Sequence, residues 1–183
     1  MKLETNKIWD QQITVKSILG LNETIQEQSL KLVLLASVEG IYLRIPSNGG
    51  YIPYFDQQYK YDKKETDVKG GGTYHNFGLA FDVLPLKNTY DTLDPRLGDG
   101  KRTLTSGQWE RVGQIGKSLG LEWGGEWVRD KSPHPKFDSA HFQFPREFAS
   151  LEYLNKLRKD QNQKDLVVLP IDIKDRFIKS FKS

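Results

Sequence analysis

Apolar positions recur along this chain with two periods, and their changes mark out the elements. From residue 25 to 39 the period is helical, with Leu30, Val33, Leu34, Ser37 and Val38 on one face. Thr24-x-x-Glu27 opens the run as a capping box, and Gly40 suits its end. Residues 41–45, Ile-Tyr-Leu-Arg-Ile, read as a strand that ends in the turn sequence Pro-Ser-Asn-Gly-Gly at 46–50. A tyrosine-rich, charged stretch at 51–70 predicts a short helix and a loop, and the glycines at 70–72 lead into a second strand. Across 79–84 the alternation sets Leu79, Phe81 and Val83 on one face and Ala80, Asp82 and Leu84 on the other. The run 141–144 repeats this, with His141 and Gln143 opposite Phe142 and Phe144.

Between these strands a polar stretch at 87–104 predicts a loop over or beside the site. A helix follows at 107–119, with Trp109, Val112, Ile115 and Leu119 on one stripe and Gly120 at its end. Pro145 suits the start of a further helix running to 158 that carries Phe148, Leu151 and Leu154. A polar link at 161–165 leads to Leu-Val-Val-Leu-Pro and a basic end, a tail expected to pack against the core. Helices framing a few short strands, with no regular βαβ alternation, predict an α+β fold with a small antiparallel sheet. A length of 183 residues suits a single domain, with a core at about 20–145 and a helical extension at 146–183.

The chemistry concentrates in two segments. His75 and Asp82 lie in Gly-Gly-Thr-Tyr-His-Asn-Phe-Gly-Leu-Ala-Phe-Asp at 71–82, and His141 lies in Asp-Ser-Ala-His-Phe-Gln-Phe at 138–144. Two histidines and an aspartate leave a tetrahedral zinc ion one open position, which is what a catalytic site requires. Asp138, three residues before His141, is the candidate general base beside it. Small Ala80 next to Asp82 leaves room for an ion, and Gly78 lets the backbone bend between the first two ligands. His134, between Pro133 and Pro135, reads as a loop residue without chemistry.

His-x-x-Gly-x-Ala-x-Asp followed by Asp-x-x-His resembles the zinc peptidases of the D-alanyl-D-alanine carboxypeptidase and L-alanyl-D-glutamate endopeptidase superfamily, peptidase family M15. Gly-Leu-Glu-Trp-Gly-Gly-Glu-Trp at 120–127 is similar to the Gly-Leu-x-Trp-Gly-Gly-x-Trp segment of the endopeptidase branch, which includes phage endolysins. The resemblance spans roughly residues 20–145. It implies a hedgehog/DD-peptidase-like fold, His75, Asp82 and His141 as ligands of one zinc ion, Asp138 as catalytic acid/base, and peptidoglycan stem peptides as substrate. Two positions depart from the pattern. Thr73 stands where the branch has serine, and Ile52 stands where it has arginine in Gly-Tyr-Arg-Ser-x-x-x-Gln. Arg44, at the end of the preceding strand, is then the candidate donor to a developing oxyanion.

The best reading is therefore a peptidase cutting the L-Ala–D-Glu bond of the stems. A D-Ala-D-Ala carboxypeptidase or dipeptidase remains open, as does a weakened, zinc-containing wall-binding module. Trp123 and Trp127 fit either the core or a substrate cleft.

Composition narrows this further. With 27 basic and 24 acidic residues, the net charge of +3 gives no basic block, which argues against a nuclease or another nucleic-acid partner. Zero cysteines exclude disulfides, thiolate zinc sites and a cysteine nucleophile. No apolar run approaches the roughly 18 residues of a membrane span. The run 32–36 has no basic segment before it, so no signal peptide is read and the export route to the bacterial cell wall stays open. A monomer is expected.

Overall fold

A computed structural model describes residues 2–86, 104–127, 138–162 and 166–181, with side chains from residue 11 onward. Residues 87–103 of the loop expected at 87–104, His134, and most of the 161–165 link lie outside the described residues. The elements run α1 (Lys2–Leu19), α2 (Glu23–Val38), β1 (Leu43–Arg44), α3 (Tyr54–Asp62), β2 (Ala80–Asp82), β3 (Leu84–Pro85), α4 (Ser106–Ser118), β4 (Glu122–Trp123), β5 (His141–Gln143), α5 (Leu151–Asp160) and α6 (Ile171–Ser180). The expected α+β class is what this order shows. Two small antiparallel sheets lie among the helices: β1 pairs with β3, and a three-stranded sheet has the order β2-β5-β4.

Register in the larger sheet follows from which residues can be buried. Phe81, Phe142 and Trp123 line up across the three strands, and all are buried. The opposite face therefore carries Asp82 beside His141, and Ala80 beside Gln143 beside Glu122. A one-residue slip would bury the charges and expose the aromatics, so the core row pins the polar row in place. The single strand expected at 79–84 is split. After Asp82 the chain leaves β5, and Leu84 pairs with Arg44 of β1.

One cluster of buried residues runs from Ile18 through both sheets to Phe177. The tail packs on it as expected: Val167, Leu169, Ile173 and Phe177 are buried, with the Phe177 ring 4.7 Å from Phe144.

Four helical expectations need correction. The apolar pattern predicts the first helix from residue 25, but α1 precedes it. Among its described side chains only Thr14 and Ile18 are buried, a stripe too thin for periodicity to announce. The N-cap of α2 is Asn22, whose Oδ1 accepts from the Thr24 N–H at 3.2 Å, so Thr24 is not the cap. The buried face of α2 is also rotated. Ile25, Leu32 and Ala36 point inward, while Leu30, Leu34 and Val38 are 44%, 54% and 83% exposed. Both faces carry apolar residues, and packing against α1, α4 and β1 selects one of them. Finally, Pro145 does not open a helix. Residues 145–148 form a turn, and α5 starts at Leu151 behind the Ser150 cap.

Candidate metal centre

His75 sits on a 3-10 turn, Tyr74–Phe77, capped by Thr73, whose hydroxyl accepts from the His75 N–H at 3.0 Å. Threonine keeps the hydroxyl that serine would supply there. Asn76 is fully buried and ties the turn down, accepting from Gly71 N–H and donating to Ile52 O. Gly78 ends the turn at φ +65°, and a Cβ there would lie 2.7 Å from Asn22 N. Only glycine satisfies both demands. The turn brings His75 back over β2, where Asp82 lies opposite His141 of β5.

Three ligand atoms converge. His75 Nε2 is 3.3 Å from His141 Nδ1 and 3.5 Å from Asp82 Oδ1, and His141 Nδ1 is 3.0 Å from Asp82 Oδ1. These spacings match the edges, about 3.3 Å, of a tetrahedron with metal–ligand bonds of about 2.0–2.1 Å. The three residues form the group able to hold a metal ion among the described residues.

The hydrogen-bond network assigns which nitrogens are free to ligate. His75 Nδ1 faces Gly50 O at 2.7 Å, and a carbonyl only accepts, so Nδ1 carries the proton and Nε2 the lone pair. Glu122 is also an acceptor when ionised. Gln143 must then turn its Nε2 toward Glu122 Oε2, at 3.3 Å, and its Oε1 toward His141 Nε2, at 3.0 Å. His141 Nε2 is therefore the donor, and its Nδ1 points into the cluster with a lone pair. Two imidazole lone pairs and a carboxylate facing one another have no donor among them. Only a shared cation, a metal or a proton, relieves that arrangement.

The titration behaviour agrees. Burial disfavours charge on His75, but the hydrogen bond and charge of Asp82 outweigh it, with Gly50 O and Asp138 adding, and its pKa is raised. Burial pushes the Asp82 carboxyl up, but hydrogen bonds and charges from both histidines hold it well below the usual carboxylate range.

The ligands open into a cleft of about 460 Å³ whose lining includes Thr73, Tyr74, Trp127, Asp138, Gln143 and Arg146. Asp138 is exposed there and held by its backbone: its N–H donates to Gly124 O at 3.2 Å, and its carbonyl accepts from the His141 N–H at 3.1 Å. Gly124 permits this approach, because a Cβ on it would lie 2.6 Å from Asp138 O. Gly124, within 120–127, thus seats the candidate base beside the third ligand.

The two tryptophans divide between the roles weighed for them. Trp123 is core, against Gly113, with its Nε1–H donating to Ser139 O at 2.9 Å. Trp127 lines the cleft with its ring 4.9 Å from that of His141. Arg44 does not line the cleft; it lies on β1, in the other sheet. The side chain of Gln57 holds Val68 O at 2.6 Å. Sequence alone does not mark Glu122, Gln143 and Arg146 as functional residues. The alternation that placed Gln143 beside His141 was the available signal for one of them.

A metal centre of two histidines and an aspartate, set on a small antiparallel sheet with a carboxylate alongside, is the arrangement of a mononuclear metallohydrolase. Residues 66–144 match the sequence model of the D-alanyl-D-alanine carboxypeptidase family of M15 peptidases. The chain is 32% identical over 120 residues to the peptidoglycan L-alanyl-D-glutamate endopeptidase CwlK of Bacillus subtilis (strain 168), covering 62% of this chain and 71% of that one. Among solved structures it is similar to the LdcB LD-carboxypeptidase, with a TM-score of 0.51 and 18% identity over 87% of this chain and 68% of that one, a likeness of fold. The chain belongs to the M15 peptidase family.

Proposed function

We propose that this protein is a zinc peptidase that hydrolyses the L-Ala–D-Glu bond of peptidoglycan stem peptides at the bacterial cell wall, with one zinc ion held by His75, Asp82 and His141. The observation that carries this reading is the convergence of two tautomer-fixed imidazole lone pairs and a carboxylate at 3.0–3.5 Å, with Asp138 in the same cleft. The likeness to CwlK supports the choice of bond. When bound, zinc supplies Lewis acidity toward water and the scissile carbonyl. Gly50 and Gln143 hold the two imidazoles in their ligating tautomers. The Asp138 carboxylate takes the proton of the attacking water and passes it to the departing D-glutamyl amine.

The test combines elemental analysis with digestion of purified peptidoglycan, identifying new termini by mass spectrometry. One zinc per chain and new D-glutamyl amino termini, both lost in His75→Ala, Asp82→Ala and His141→Ala, are expected. Release of C-terminal D-alanine instead would make the protein a carboxypeptidase, and unchanged zinc in all three variants would refute the ligand set.

A further inference from the structure

Among the described residues, Arg146 is the one arginine or lysine lining the cleft, and the proton chemistry above gives it no task. Three contacts fix it. Its Nη2 is 2.7 Å from Glu122 Oε1, its backbone N–H donates to Glu122 Oε2 at 3.2 Å, and its Cζ lies 4.7 Å from the Trp127 ring centroid. Glu122 is itself held by the Trp127 Nε1–H at 2.8 Å and by Gln143. The Trp127 ring also lies 4.9 Å from the His141 ring, tilted by 52°, so the same indole touches both the guanidinium and a ligand of the metal centre. A free surface arginine loses rotamer freedom when it binds a ligand. Here carboxylate and ring have already restricted it, while 55% of the side chain stays exposed. Glu122 engages the Nη2 end, and the planar fork offers further N–H groups suited to a carboxylate.

The lining's carboxylates are Asp82 and Asp138, so Arg146, with N–H groups left over from Glu122, is the group in it that can pair with an anionic part of the substrate. In a stem peptide the D-glutamyl residue continues the chain through its side-chain carboxyl. Its α-carboxylate is left free, on the leaving-group side and next to the scissile nitrogen. Position 52, where the family pattern has arginine, offers only an isoleucine whose backbone braces His75 and Asn76. The cation of this cleft comes instead from the segment after β5. We propose that Arg146, braced by Glu122 and Trp127, is the subsite for the α-carboxylate of the D-glutamyl residue that follows the scissile bond. This rests on the peptidase reading above.

The test compares stem peptides carrying the D-glutamyl α-carboxylate with their α-carboxamide counterparts, each made with a free or an amidated C-terminus. The zinc-loaded protein should prefer the α-carboxylate by about 10- to 100-fold in kcat/KM, mostly through KM, as expected for a charge-assisted pair. In Arg146→Gln that ratio should collapse toward one, and Arg146→Lys should retain part of it, with zinc content and melting temperature showing that both variants fold. A preference that persists in Arg146→Gln overturns the proposal. So does a change confined to the C-terminal carboxylate pair, because Arg146 would then read a chain end. Calorimetric binding of the same peptides to Asp138→Asn, with and without Arg146→Gln, gives the ratio without turnover. If the wild-type protein cleaves none of the peptides, the peptidase reading fails, and these dissociation constants still decide the role of Arg146.

Discussion

Replacing Gln143 by alanine tests the tautomer argument at the metal centre. Gln143 lies on β5 two residues after His141 and supplies the acceptor for His141 Nε2 at 3.0 Å. Both side chains are buried, with His141 7% and Gln143 3% exposed. Truncation leaves the Nε2–H without its partner, at about 1–3 kcal/mol for an unsatisfied buried group. The imidazole can escape that cost by moving its proton to Nδ1, but Nδ1 is the atom facing Asp82 at 3.0 Å and His75 at 3.3 Å. Proton and metal then compete for one lone pair. Loss of such an orienting partner weakens metal binding by about 10- to 100-fold, or about 1.4–2.7 kcal/mol, within the range for the unsatisfied group. Glu122 keeps Trp127 and Arg146 as partners, so the cleft wall should survive the change. Competition with a chromophoric chelator measures the zinc constant, and chemical denaturation of the metal-free variant checks the fold. If Gln143→Ala binds zinc within twofold of the wild type while His141→Ala loses it, the network does not set the tautomer and the argument fails.

Asp138→Asn should retain zinc while turnover falls by about 10²- to 10⁴-fold, and near-normal hydrolysis would move the proton work to another group. The metal-free protein should show a stability maximum in mildly acidic solution. The depressed pKa of Asp82 contributes stability above about pH 3.9 that is lost on acidification, and the raised pKa of His75 contributes stability below about pH 6.5 that is lost as pH rises. Zinc should move that maximum upward, because it displaces the proton; melting curves with chelator or zinc across this range decide the matter, and metal-free stability rising from pH 6 to 8 would contradict it. Phe177→Ala should cost about 3–5 kcal/mol in denaturant unfolding. Its ring packs on Phe144, Phe148 and Phe181, and a loss under 1 kcal/mol would mean the C-terminal helix is not part of the core.

What could be read from the chain alone was whatever depends on neighbours a few residues away. Alternation by two set Asp82 opposite in face to Phe81, and His141 and Gln143 opposite to Phe142; glycine after the apolar runs ended α2 and α4, with Gly40 at φ +76° and Gly120 at φ +81°. The donor chemistry of two histidines and an aspartate, and a carboxylate three residues before the last of them, needed no fold to be recognised. The pairing of Asp82 with His141 needed one, because that register depends on packing the Phe81, Phe142 and Trp123 row from three separate segments. The same holds for the face α2 buries. Its apolar residues are on both sides, and α1, α4 and β1 choose between them. Arginine shows the division most sharply. Arg44 and Arg146 are equally polar in sequence, and nothing local separates them. Only the tertiary structure sets Arg44 on the other sheet and lays Arg146 over Trp127 beside Glu122, because a long side chain takes its position from what it can pair with through space.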